Sequence, residues 1–149
     1  MNRRDALIAT AGGLAALSFP VLAQAPAPKA APAAKAAAPV INTALYAAAL
    51  DCVKVGEECL DHCIRLLSTG DKSMAECAGT VRAMLPLCGA IVELTRLNSR
   101  HLKELAAVCA KACRDCEAAC KKHANHHAEC KACMESCQKC ATECEKAAA

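Results

Sequence analysis

The chain has 149 residues, enough for one small domain, and a net charge of only +3 with acids and bases interspersed. With one Tyr, one Phe and no Trp, that balance excludes a nucleic-acid binder built on a basic patch and stacking rings, and no apolar run suggests a retained membrane span. The hydrophobic fraction is 55%, but alanine and cysteine supply much of it. The fourteen cysteines are therefore the candidates to fill a core that lacks large aromatics.

Residues 1–25 read as a signal peptide. Asn2-Arg3-Arg4-Asp5 forms the charged region, Ala6 to Leu22 a mildly apolar stretch, and Ala23-Gln24-Ala25 a small-x-small cleavage site. The adjacent arginines and the weak hydrophobicity, with Gly12 and Gly13, point to the twin-arginine route, which exports folded cargo to the periplasm or another extracytoplasmic space. A thiol-rich protein folded in a reducing cytoplasm avoids random oxidation after such export. Residues 26–41 are rich in Pro and Ala and read as a flexible tether.

Residues 42–149 predict an all-α antiparallel four-helix bundle. Helix A spans about residues 42–67 and ends at Ser68-Thr69-Gly70-Asp71. Helix B spans about 73–97; Ser73 and Glu76 fit a capping box, and Pro86 predicts a kink. Helix C spans about 100–122 and helix D about 127–146, joined by the polar stretch His123-Ala124-Asn125-His126. Short connections between helices of similar length imply up-down-up-down neighbours.

Every cysteine falls on a helix. Helix A carries Cys52, Cys59 and Cys63, helix B Cys77 and Cys88, helix C Cys109, Cys113, Cys116 and Cys120, and helix D Cys130, Cys133, Cys137, Cys140 and Cys144. Steps of three, four, seven and eleven keep a side chain on one face of a helix, so each stripe faces the core. Helix D has no other core face: outside its cysteines, residues 128–146 offer only Ala128, Ala132, Met134 and Ala141.

Counting residues from the end shared by the A–B and C–D turns sorts the cysteines into layers. Cys63, Cys77, Cys120 and Cys130 come first. Cys59, Cys116 and Cys133 follow, then Cys113 and Cys137, then Cys52, Cys88, Cys109 and Cys140, with Cys144 deepest. At the far end Ile41, Leu45, Leu50, Ile91, Val92, Leu94, Leu102 and Leu105 suggest an apolar plug. His62, Met74, His123, His126 and His127 make the near end polar, a mouth.

Three readings of the thiols compete. Disulfides suit cysteines three or four apart on one helix poorly. Zinc asks for closed sets of four ligands, into which fourteen thiols do not divide, and iron–sulfur motifs sit on loops. Cu(I) is soft, prefers thiolate and accepts two or three sulfurs. About one monovalent ion per shared thiolate brings the core near neutrality, where divalent ions at that density would overcharge it.

The run Cys109-x3-Cys113-x2-Cys116-x3-Cys120 followed by Cys130-x2-Cys133-x3-Cys137-x2-Cys140-x3-Cys144 resembles the bacterial copper storage proteins, and the leader resembles that of their exported branch. The resemblance implies a reservoir for many Cu(I) ions rather than an enzyme, a homotetramer, and a copper-enzyme recipient. It also implies metal-guiding residues at the mouth, the role His62 and Met74 match best. Leu66 and Thr69 stand where further thioethers would be expected, while Met84 and Met134 read as packing residues. A periplasmic copper chaperone, or a thiol-rich zinc-binding or redox-buffering protein, are the alternative readings.

Overall fold

The computed structural model describes residues 41–149; the expected leader and residues 26–40 of the expected tether lie outside the described residues. Among the described residues there are four α-helices and no strand: α1 (Thr43–Ser68), α2 (Ala75–Arg96), α3 (Leu102–Lys121) and α4 (Ala128–Ala148), with a short 3-10 turn, Lys72–Met74, before α2. Each helix packs on two neighbours in the cyclic order α1, α2, α3, α4. Contacts at the helix ends show that neighbours run antiparallel. Lys122, after α3, binds Glu76 at the start of α2; His62, late in α1, meets His127 just before α4; and Lys103, early in α3, reaches the Ala149 carbonyl beyond α4.

Local chemistry sets the helix limits. The Asn42 side chain accepts the Leu45 N–H at 3.1 Å and starts α1. At its far end Gly70 adopts φ +96°, a left-handed conformation that glycine takes without a Cβ penalty, and the Asp71 N–H returns to the Leu66 carbonyl. The capping box expected at Ser73 and Glu76 is absent. Asp71 takes the capping role instead, accepting both the Ser73 N–H at 3.0 Å and the Ser73 hydroxyl at 2.6 Å, which leaves Glu76 free to pair with Lys122. An aspartate two residues upstream offers the orphan donors an ionised acceptor, a stronger partner than a serine hydroxyl. Between α2 and α3, Asn98 holds φ +46° and the Ser99 N–H bonds to the Leu94 carbonyl, closing the joint.

Pro86 lies inside α2, which runs continuously past it from Ala75 to Arg96. By length and composition the helical stretch Lys72–Arg96 is apolar enough to cross a membrane, which qualifies the expectation that no such run exists. Its place in the bundle accounts for that character. Cys77, Val81, Met84, Cys88 and Ile91 on its inner face are fully buried, and it packs between α1 and α3.

One core runs the length of the bundle. All fourteen cysteines are fully buried. At the end away from the His62–His127 pair it is closed by Leu45, Ile91, Val92, Thr95 and Ala106, with Leu102 and Leu105 packed against them. Ile41 and Leu50, expected in this plug, are exposed instead. Leu50 lies on α1 between the buried positions Ala49 and Cys52, and a one-residue step turns its side chain about 100° away from the core line.

Candidate metal centre

The four stripes converge so closely that sulfur is the main neighbour of sulfur. Five sets of thiols have all their sulfurs within 4.8 Å of one another: Cys59, Cys63, Cys77 and Cys130; Cys59, Cys120 and Cys133; Cys116, Cys133 and Cys137; Cys52, Cys88, Cys113 and Cys140; and Cys109, Cys140 and Cys144. Together they contain all fourteen cysteines. Cys59 and Cys133 link three of the sets and Cys140 links the other two, and the Cys52 and Cys137 sulfurs, 3.7 Å apart, join these two runs into one column. Every thiol is free, and separations such as Cys77–Cys120 at 3.3 Å and Cys88–Cys109 at 3.6 Å are far longer than a disulfide bond of about 2.05 Å.

The layering differs from the residue count in a consistent way on α3. Cys120 joins Cys59 and Cys133, Cys113 replaces Cys109 beside Cys52, Cys88 and Cys140, and Cys109 moves down to Cys144. Helical side chains tilt toward their own N-terminus. The N-terminus of α3 lies at the closed end, so its sulfurs sit deeper than their Cα positions suggest.

Met84 belongs with the thiols. Its sulfur accepts hydrogen bonds from Cys88 at 3.2 Å and from Cys52 at 3.5 Å, and it is fully buried. Read as a packing residue from sequence, it stands seven residues from Cys77 and four from Cys88. That register placed it on the cysteine stripe and was the signal for its position. Gly56, facing it on α1, supplies the space: a Cβ there would come within 3.0 Å of the Met84 methyl and 2.9 Å of Leu85.

At the polar end, His62 and His127 share a hydrogen bond, Nε2 to Nδ1 at 3.0 Å, and His62 Nδ1 lies 3.3 Å from a Glu129 carboxylate oxygen. His123 stacks at a tilt on His127 with ring centroids 6.2 Å apart. His62 is part-buried and joins none of the thiol sets, though its chain neighbour Cys63 is in the outermost one. Met74 is fully buried at the same end. Unlike Met84, it accepts no thiol hydrogen bond among the described residues.

Hydrogen bonds between thiols set the protonation of most of the column, whereas at Cys63 and Cys130 the leading cause is burial. It pushes Cys63 and Cys130 well above the ordinary thiol range, and negative charge at Cys59 and Cys77 would push them further. Cys77 is pulled down by its hydrogen bond with Cys120, but its hydrogen bond with Cys59, burial and the Cys59 charge outweigh this and hold it up at about 11. Cys52, Cys59 and Cys116 move the opposite way because neighbouring thiols can donate to their thiolates: Cys113 first for Cys52, and Cys120 first for Cys59 and Cys116. The column can therefore accommodate an isolated thiolate solvated by S–H groups, while a second charge beside it is opposed. Empty, it is mostly neutral and behaves as a small-residue hydrophobic core.

A continuous run of soft donors, free and buried, suits holding soft cations. Comparison with known proteins agrees with this chemistry. Residues 41–149 match the family described as copper storage protein.

The chain belongs to the copper storage protein family.

An uncharacterized cysteine-rich protein of Bacillus subtilis (strain 168), YhjQ, is 30% identical over 108 residues, spanning 72% of this chain and 96% of the relative. Among solved structures, apo copper storage protein 3 from Bacillus subtilis is 32% identical with a TM-score of 0.63, covering 72% of this chain and 98% of that one. The Cu(I)-bound copper storage protein BsCsp3 is 29% identical with a TM-score of 0.64, covering 72% and 97%. The antiparallel four-helix fold expected from sequence is thus present in this copper storage protein family member and shared with solved structures.

Proposed function

We propose that this family member is an exported store that binds many Cu(I) ions along its thiol column and holds them for copper enzymes while keeping free copper low. The observation that carries the reading is the continuous sulfur column: fourteen free, fully buried thiols in five sets, linked by shared cysteines and by the Cys52–Cys137 contact. Fourteen uncompensated thiolates would be prohibitively costly to bury. Monovalent ions bridging neighbouring sets offset that charge as they enter, and thiolate softness selects Cu(I) over harder ions. The Cu(I)-bound relative supports the same cargo. Arg3-Arg4 and the small-x-small site at residues 23–25 support export by the twin-arginine route, and the family resemblance supports a homotetramer.

The test is an anaerobic Cu(I) titration of the reduced protein against a competing chelator, preceded by a free-thiol count. Storage predicts tight uptake of roughly one Cu(I) per cysteine with little change in helical signal. Saturation at about one ion per chain would instead indicate a chaperone, and few free thiols before reduction would indicate a disulfide-linked bundle. Replacing Arg3 and Arg4 by lysine tests the route: the precursor should accumulate in the cytoplasm, and unchanged export would overturn it.

A further inference from the structure

The α1–α2 half of the column carries five cysteines and the α3–α4 half nine. Within the poorer half, three buried residues interrupt the cysteine stripes, Gly56 on α1 between Cys52 and Cys59, and Val81 and Met84 on α2 between Cys77 and Cys88, and of these Gly56 and Met84 face each other. We propose that Met84 is a thioether ligand of the column, sharing a Cu(I) ion with Cys52 and Cys88. This rests on the copper-binding reading above.

Two independent observations carry it. The Met84 sulfur, rather than only its methyl, is aimed at the thiols, at 3.2 Å from Cys88 and 3.5 Å from Cys52, while Cys52 and Cys88 lie within 4.8 Å of each other. A trigonal ion with metal–sulfur bonds of about 2.3 Å needs its three sulfurs about 4 Å apart, taking the zinc–thiolate length as a guide. The existing triangle therefore needs only small shifts to receive an ion. Second, Gly56 seats the methionine: a Cβ at residue 56 would stand 3.0 Å from the Met84 methyl, so the notch fixes where the thioether end lies.

Charge gives the arrangement a purpose. Cys52, Cys88, Cys113 and Cys140 form a set of four on their own, and thiolates packed that closely repel one another. A thioether is soft enough for Cu(I) yet uncharged, so it completes a three-sulfur site there without another negative charge. The same neutrality makes it a poor zinc ligand, and the site is selective for the monovalent ion.

Selenium at position 84 makes the bond visible. The full chain is labelled with selenomethionine, loaded anaerobically with Cu(I), and its selenium-edge X-ray absorption is compared with that of Met84→Leu and Met74→Leu treated alike. A selenium–copper shell is expected in the parent, retained in Met74→Leu and lost or greatly reduced in Met84→Leu. The leucine variant preserves side-chain volume, so the apo bundle should keep its helical signal. Titrated with Cu(I), it should take up about one ion fewer, or hold that ion more weakly. If Met84→Leu does not fold, the Met74→Leu spectrum decides alone, since a missing shell there would overturn the assignment. A parent that fills with copper but shows no selenium–copper shell, or a shell unchanged in Met84→Leu, would overturn the role of Met84 while leaving storage intact. A parent that takes up little copper would overturn the storage reading itself.

Discussion

At Gly56 the packing around the column leaves no room for a side chain. Alanine at an interior helical position ordinarily gains about 0.5–1 kcal/mol over glycine. Here the added methyl would meet the Leu85 side chain at 2.9 Å and the Met84 methyl at 3.0 Å, and overpacking of a filled core costs about 1–3 kcal/mol. Gly56→Ala should therefore lose about 1–2 kcal/mol of net stability in the empty protein, seen as a lower denaturant midpoint in reductant. An unchanged or higher midpoint would mean that Met84 and Leu85 move aside freely. Both partners were legible as stripe positions, because residues 52, 56 and 59 and residues 77, 84 and 88 keep helical spacing. That a methionine sulfur would point at two thiols was not legible, since spacing fixes a face and not the direction of a flexible thioether. The capping motif failed for a related reason. Ser73 and Glu76 have the right separation, but Asp71 is nearby and is the better acceptor.

At the scale of helices, α4 shows how little ordinary apolar surface the fold requires. Its buried side chains are five cysteines with Ser136 and Ala141, and the Ser136 hydroxyl is satisfied by donating to Asp51 of α1 at 2.7 Å. Outside the core, Arg114 of α3 bonds Glu145 of α4 through two nitrogens, at 3.0 and 3.1 Å, a paired contact at the surface that orients more than it stabilises. The helix therefore depends on its thiols staying neutral when empty, and this gives a pH prediction. A thiol such as Cys77, raised from 9.0 to about 11, is protonated in both states below pH 9. Between 9 and 11 the unfolded chain loses its proton while the folded one keeps it, so folding stability is full at neutral pH and falls across that window. Cys63, Cys130, Cys88, Cys120 and Cys137 are raised as well and outnumber the lowered Cys52, Cys59 and Cys116. Thermal melts of the empty, reduced protein should shift down steadily above pH 9. A melting temperature that rises through that range would contradict a core of neutral thiols. The stripes themselves were readable from sequence, and so were the helix limits to within about two residues. The grouping of thiols into sets was not, because it depends on axial offsets between helices and on side-chain tilt, which moved the α3 sulfurs toward the closed end.

Across the whole molecule the two ends differ, and the difference predicts where copper enters. One end is sealed by fully buried Leu45, Ile91 and Ala106, together with Thr95, whose hydroxyl is buried without a hydrogen-bond partner. At the other, part-buried His62, paired with His127 and Glu129, adjoins Cys63 of the outermost thiol set. An ion arriving there meets imidazole nitrogen before sulfur, whereas at the sealed end it would have to part apolar side chains. His62→Ala should therefore slow Cu(I) transfer from a chelator severalfold while leaving final capacity nearly unchanged, followed by the chelate's absorbance in stopped flow. Thr95→Val is the matched control. It removes an unsatisfied buried hydroxyl, so it should stabilise the empty bundle by about 1 kcal/mol and leave the uptake rate as it was. Loading slowed by Thr95→Val but not by His62→Ala would place the entrance at the wrong end. If both variants load at the parent rate, the ion reaches the column by a route between helices, and the polarity of the bundle has some other role.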